Sequence, residues 1–111
     1  MPQPMREATF LILASLASTE RHGYGIIKEV EEISEGETKL SPGTLYGALD
    51  RLSELRLVRP TRSEVVDGRG RRYYALTDED LAAVREEVAH REGVLRGATA
   101  RLAQRQARAP A

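Results

Sequence analysis

Ser41-Pro42-Gly43-Thr44-Leu45-Tyr46-Gly47-Ala48-Leu49-Asp50-Arg51-Leu52-Ser53-Glu54-Leu55 joins a helix start to an unbroken helical apolar face. A serine hydroxyl directly before a proline is a strong helix start. The hydroxyl accepts from an otherwise unpaired first-turn amide, and proline at the first helical position lacks an N–H that would have no partner there. Leu45, Ala48, Leu49, Leu52 and Leu55 then recur at helical spacing and form one apolar face. Thr44, Gly47, Asp50, Arg51 and Glu54 fall on the other. The start of this helix shows small or hydrogen-bonding groups: Ser41, Gly43, Thr44 and Tyr46.

Downstream the pattern turns to β. Leu57-Val58 and Thr61 to Val66 lie on one side of Asp67-Gly68-Arg69-Gly70, and Arg71 to Leu76 on the other. The Asp-Gly pair and the second glycine supply the positive φ values a tight hairpin needs. Tyr73 and Tyr74, as strand neighbours, point to opposite faces, one to the core and one outward. Thr77-Asp78-Glu79-Asp80 then offers a hydroxyl cap, a carboxylate three residues on, and acidic groups that suit a helix dipole. The long helix that starts there carries Leu81, Val88, Leu95 and Leu102 seven apart. Val84 and Ala98 fill two intermediate positions, Arg91 and Arg105 the others. A stripe longer than so small a core covers predicts a partner helix. Gly93 and Gly97 each weaken the helix by roughly 1 kcal/mol, so a bend or fraying is expected there. Gln104 to Ala111 is expected to be a disordered tail.

Upstream, Phe10, Leu11, Ile12, Leu13 and Leu16 are so dense that a helix from Met5 to Ala17 must be buried on most of its circumference. It is a core helix or one shared with a partner. Arg21-His22-Gly23 breaks the pattern, and Ile26, Ile27, Val30 and Ile33 then recur between acidic residues as a second amphipathic helix ending near Ser34 to Gly36. In His22-Gly23-Tyr24, Gly23 is read as a turn residue and Tyr24 as a packed ring, in preference to a metal or catalytic site. Two histidines without cysteine do not make a set of four zinc ligands.

The chain of 111 residues suffices for one domain, and 41% hydrophobic with 31% charged residues is the composition of a soluble globular or helical protein. Seventeen basic and seventeen acidic side chains cancel in total but not locally. Residues 1–40 hold four basic and seven acidic groups, whereas residues 41–76 hold seven and four. Within the latter, Arg56, Arg59, Arg62, Arg69, Arg71 and Arg72 face only Glu64 and Asp67. Two readings of this stripe stand: a hairpin edge kept soluble by charge, or a nucleic-acid surface. The longest apolar run, Phe10 to Ala14, is too short to span a bilayer, and no secretory signal is expected. The absence of cysteine excludes disulfides, thiolate metal sites and a cysteine nucleophile, and fits a reducing cytoplasm. No paired carboxylates in an apolar setting, phosphate loop or nucleophile motif is present, so neither an enzyme nor a cofactor is expected.

Three helices, a hairpin and a long helix form the order of a winged helix-turn-helix with an added dimerisation helix. In that arrangement the third helix enters a DNA major groove with its N-terminal residues toward base edges, where small side chains let backbone approach phosphate. Arginines in the wing suit phosphate oxygens or a narrow minor groove.

From Phe10 to Asp78 the chain resembles the PadR-like transcriptional regulators. The resemblance rests on Ile12-Leu13, His22-Gly23-Tyr24, Leu40-Ser41-Pro42-Gly43-Thr44-Leu45-Tyr46, Ala48-Leu49, Arg51-Leu52 and Arg72-Tyr73-Tyr74-Ala75-Leu76-Thr77. It implies a homodimeric winged-helix repressor of inverted-repeat operator DNA, often released by a small molecule, whose final helix packs on the partner's first helix. The short final segment is similar to the small subgroup with one C-terminal helix. Three positions depart from the family: Arg56 where glycine is usual, Gly70 where the wing usually has proline, and Gly25 where a polar or acidic residue is common.

The fold class read from the sequence is therefore mainly α with a two-stranded β-wing, as a winged helix-turn-helix plus a long C-terminal dimerisation helix. Residues 1–76 form the DNA-binding domain, 77–103 the dimerisation helix and 104–111 the tail. The DNA-contacting set is Lys39, Ser41, Gly43, Thr44, Tyr46, Gly47, Arg51, Arg69, Arg71 and Arg72. For Tyr46, packing at the core edge competes with a hydroxyl contact to DNA, and the resemblance favours DNA. The dimer set is Phe10, Leu13, Leu81, Val84, Val88, Leu95 and Leu102. A dimer cleft lined by Phe10, Leu13 and the final helix is the expected place for a small hydrophobic effector. The expected partners are double-stranded DNA, a second copy and that effector, with no membrane, metal or cofactor. The alternative is a winged-helix module that contacts an acidic protein.

Overall fold

A computed structural model describes residues 5–108. In chain order the elements are α1 (Glu7–Ser15), β1 (Arg21–His22), α2 (Gly23–Ile33), α3 (Pro42–Glu54), β2 (Val58–Val66), β3 (Arg69–Leu76) and α4 (Asp78–Arg108). This is the mainly helical winged order with a long C-terminal helix. One strand was not expected: β1 joins the hairpin in an antiparallel sheet of order β1-β3-β2, with Arg21 opposite Tyr74 and His22 opposite Tyr73. Two residues are too few to show an alternation in sequence.

The hairpin turn is tighter than its glycines suggest. Only Asp67 (φ 52) and Gly68 (φ 76) are left-handed, a two-residue turn whose twist matches the strands. Gly70 lies within β3 opposite Val65 instead of in the turn. The register shifts by one residue between Pro60 and Ser63, so β2 carries a bulge at Thr61 and Arg62.

The core joins Leu11, Ile12, Leu13 and Leu16 with Ile26 and Val30 of α2, and with Leu45, Ala48, Leu49 and Leu52 of α3. Val58, Tyr74 and Val84 close it. Leu55, expected on the apolar face, is 67% exposed because α3 stops at Glu54 and Leu55 is its C-cap. The chain leaves α3 through Arg56 at φ 60, with Leu57 N–H donating to Leu52 O at 2.9 Å and Arg56 N–H to Ser53 O at 3.0 Å. This is a glycine-type cap built on arginine, at a cost of about 1 kcal/mol.

Thr77 starts α4: its Oγ1 accepts from Asp80 N–H at 3.2 Å and donates to Arg56 O at 3.0 Å. The return arm of a capping box does not form, because Thr77 N–H donates to Leu57 O at 3.2 Å. Asp80 is thus fully buried with neither carboxylate oxygen hydrogen-bonded, and burial pushes its pKa up to about 6. From there α4 runs as one helix through Gly93 and Gly97 to Arg108, past Gln104 where a tail was expected. Glutamine, alanine and arginine all favour helix; residues 109–111 lie outside the described residues. None of the described helices is long and apolar enough to cross a membrane.

Candidate nucleic-acid interface

At the start of α3, Ser41 Oγ accepts from Thr44 N–H at 3.2 Å and donates to Thr44 Oγ1 at 2.9 Å. The Ser41 and Thr44 hydroxyls are therefore joined at the cap, while remaining at the surface. A Cβ on Gly43 would meet nothing within 4 Å, so no packing inside the chain requires glycine there. What glycine supplies is a bare, exposed backbone. On Gly47 a Cβ would come no nearer than 4.0 Å to Arg51, its nearest neighbour. Lys39 lies 4.0 Å from Glu31 and is mostly exposed.

Tyr46 packs its ring against Gly23, yet 48% of the residue is exposed. A Cβ at position 23 would sit 2.8 Å from Tyr46 Cζ, so the glycine of His22-Gly23-Tyr24 serves a close approach between helices. His22 caps α2, its Nδ1 accepting from Gly25 N–H at 3.2 Å, which leaves the proton of the neutral ring on Nε2. Burial holds its pKa below the ordinary value, and Arg71 acts in the same direction against Glu64. Tyr24 corrects the sequence reading. It is 64% exposed instead of packed, with Lys28 Nζ 5.6 Å from its ring centre.

These residues meet the wing. A cleft of about 340 Å³ is lined by His22, Gly23, Tyr24, Tyr46 and the run Arg69 to Arg72. Strand alternation puts Arg69 and Arg71 on one face of the hairpin and Arg72 on the other. Among the described residues, Arg51, Arg69, Arg71 and Arg72 take part in no ion pair.

Arg62 differs and leaves the predicted stripe. Its guanidinium bonds Glu20 at 2.7 Å and Glu64 at 2.9 Å, and stacks 3.8 Å over the Tyr73 ring. Thr61 Oγ1 donates to Glu20 at 2.6 Å and Tyr73 hydroxyl to Glu64 at 2.5 Å. Hydrogen bonds from Arg62 and Thr61 hold Glu20 below the usual carboxylate range; those from Tyr73 and Arg62 do the same for Glu64. The bulge in β2 presents Thr61 and Arg62 together to Glu20. This network braces the wing base, and Glu64, opposite Arg71 in the ladder, accepts its hydrogen bonds from Arg62 and Tyr73.

The predicted dimer set divides. Leu13 (0% exposed) and Val84 (4%) belong to the chain's own core and are not available to a partner, because α1 and α4 pack on one another. Leu81 is half-buried, and Val88, Leu95 and Leu102 are exposed. Phe10 is half-buried under the Arg91 guanidinium, 4.0 Å from its ring centre. Arg91 also bonds Glu7 at 2.7 Å and Glu87 at 3.1 Å. A groove of about 480 Å³ beside it is lined by Glu7, Glu87, His90, Arg91, Val94 and Leu95. Val94, absent from the predicted set, is 57% exposed; it sits next to a heptad position and broadens the apolar strip.

Residues 12–86 match the sequence pattern of the Transcriptional regulator PadR-like family. Transcriptional regulator Rv3488 of Mycobacterium tuberculosis is 40% identical over 76 residues, covering 68% of this chain and 67% of that protein. Transcriptional regulator YqjI of Escherichia coli is 34% identical over 73 residues, which are 66% of this chain but 33% of that protein. An uncharacterised 37.1 kDa protein of a Streptomyces fradiae transposon is 46% identical over 54 residues, 49% of this chain and 15% of that protein. The chain thus spans a third or less of the latter two. Among solved structures, a PadR family regulator from Clostridium difficile superposes with a TM-score of 0.73 at 26% identity, over 87% of this chain and 99% of that one. Bacillus subtilis PadR, solved in complex with operator DNA, shares the fold with a TM-score of 0.67 at 22% identity, over 78% of this chain and 49% of that one. Pattern, identity and fold agree on a regulator and not an enzyme: the chain belongs to the transcriptional regulator PadR-like family.

Proposed function

We propose that the chain is a homodimeric repressor, acting in the cytoplasm, that binds inverted-repeat operator DNA through α3 and the wing. The observation that carries this is the gathering of Arg69, Arg71 and Arg72 with Tyr46 of α3 around one cleft. Among the described residues these three arginines form no ion pair, whereas Arg62 at the base of the wing is bound to Glu20 and Glu64. Unpaired arginines around a cleft bordered by Tyr46 of α3 suit phosphates flanking a major groove. The bare backbone at Gly43 and the exposed Thr44 and Tyr46 suit base edges. Residues 1–76 carry the DNA contacts and α4 the dimer contacts. A small hydrophobic effector enters the groove beside Phe10, Val94 and Leu95 and releases the DNA.

The test is a gel-shift titration of the full chain on duplexes from its own upstream region, repeated across salt concentrations. Binding that exceeds random DNA at about 100 mM salt and falls steeply as salt rises supports the reading. Equal binding to every duplex, together with stoichiometric capture of an acidic protein, replaces it with the interaction-module alternative.

A further inference from the structure

Leu45, Ala48, Leu49 and Leu52 turn one face of α3 into the core. At about 100° per residue, the residues diametrically opposite are Gly43, Gly47, Asp50 and Glu54. The outermost ridge of the helix is thus bare over its first half and acidic over its second. Asp50 and Glu54 are exposed, and among the described residues neither takes part in an ion pair. The helix gives Asp50 no support. The positions three and four away hold Tyr46, Gly47, Ser53 and Glu54, so none of these neighbours is a cation and one carries like charge. Arg51 follows in sequence but leaves α3 about a quarter-turn away, and its guanidinium lies beside Gly47. The C-terminal half of a helix also favours cations over carboxylates. An exposed carboxylate set against its own helix in this way suits a donor outside the chain.

We propose that Asp50 is a specificity-determining residue, its carboxylate accepting a hydrogen bond from the exocyclic N4 amine of a cytosine in the major groove. This rests on the DNA-reading role of α3 proposed above and adds to it a residue and a base. An ionised carboxylate only accepts, and among the base edges of the major groove only the amines of cytosine and adenine donate. The adenine amine lies between two acceptors, its own N7 and the O4 of the paired thymine, whereas the cytosine amine has an acceptor on one side alone. Cytosine is therefore the base that meets a carboxylate with least repulsion. Aspartate is short and reaches a base edge only where the backbone itself comes close. Gly43 and Gly47, on the same ridge, carry no side chain to hold the helix away. A Cβ at Gly43 would meet nothing within 4 Å, so the chain's own packing does not ask for the glycine. A carboxylate left without a donor between walls of phosphate is repelled, so Asp50 rejects the wrong bases as well as bonding the right one.

The test is selection of bound duplexes from a randomised pool by the full chain, run beside Asp50→Asn and Asp50→Ala. Both substitutions replace an exposed side chain, and circular dichroism checks that the fold is kept. The wild type is expected to take cytosine at one position of each half-site. Asp50→Asn, which carries a donor beside its acceptor, should shift that position to adenine. Asp50→Ala should lose the preference there, the penalty for replacing cytosine falling from roughly ten- to a hundredfold to almost none. Variants that keep the wild-type preference at every position, or a wild type that takes another base where the variants differ from it, overturn the proposal while the reading of DNA by α3 stands. A wild type that selects no sequence overturns both.

Discussion

Tyr46 of α3 and Gly23 at the first residue of α2 are in such close contact that no side chain fits between them: a Cβ on Gly23 would lie 2.8 Å from Tyr46 Cζ and nearer still to its hydroxyl. The contact couples the angle between two helices to the position of a ring that borders the proposed DNA cleft. Because the crowding atoms are the far end of a half-exposed ring, Gly23→Ala is expected to displace Tyr46 without unfolding the chain. The stability loss should be about 1 kcal/mol, while the base preference at the position nearest α3 changes. A melting curve together with operator selection checks this; unchanged preference in a variant that folds would remove Tyr46 from the interface.

Arg69→Ala and Arg71→Ala should each weaken binding to all sequences alike and lower the slope of log affinity against log salt by about 1. Thr44→Val should instead alter sequence preference at a constant slope. Arg62→Ala is the control. It breaks the contacts with Glu20, Glu64 and Tyr73, so it should lower the melting temperature and leave the salt slope as it is.

Asp80 imposes a pH dependence on stability. Its pKa is raised from 3.8 to about 6 by burial, so the folded chain holds this proton more tightly than the unfolded one. The resulting stabilisation is complete below the unfolded value and is lost as pH rises through about 6. Asp80→Asn should therefore gain on the wild type between pH 4.5 and 7.5, by on the order of 2 kcal/mol. Glu20 and Glu64, whose pKa values are lowered, act in the opposite sense and lose their contribution as pH falls. The difference between variant and wild type in urea titrations isolates Asp80, since the other carboxylates are common to both.

Arg56 adopts a left-handed conformation at φ 60 at the end of α3. Arg56→Gly should raise the urea midpoint by an amount equivalent to about 1 kcal/mol without changing the slope of unfolding free energy against urea. A fall in the midpoint would mean that the arginine side chain supplies more than its backbone strain removes.

What the sequence made legible is what local chemistry decides. Ser41-Pro42 announces its helix because cap and proline act within one turn. Thr77 does the same for α4, but whether Asp80 returns the capping bond depends on Leu57, twenty residues upstream of Thr77, which takes the Thr77 amide first. The sequence places Arg62 in the basic stripe for a similar reason, because its partner Glu20 lies 42 residues away and meets it only through the bulge. Periodicity identified Leu13 and Val84 as apolar but could not tell a partner's surface from the chain's own core. The strand at Arg21–His22 exists only because Tyr73 and Tyr74 offer it an edge.

That short strand also has a mechanical meaning. It clamps β3 only at Tyr73 and Tyr74, so the hairpin from Ser63 to Arg72 stands out as a cantilever, fixed at its root and free at its tip. The deflection of a cantilever is governed at its root, and here the root is held by Glu20 and Glu64 gripping Arg62. Acid that protonates those two carboxylates will slacken the hairpin at its root.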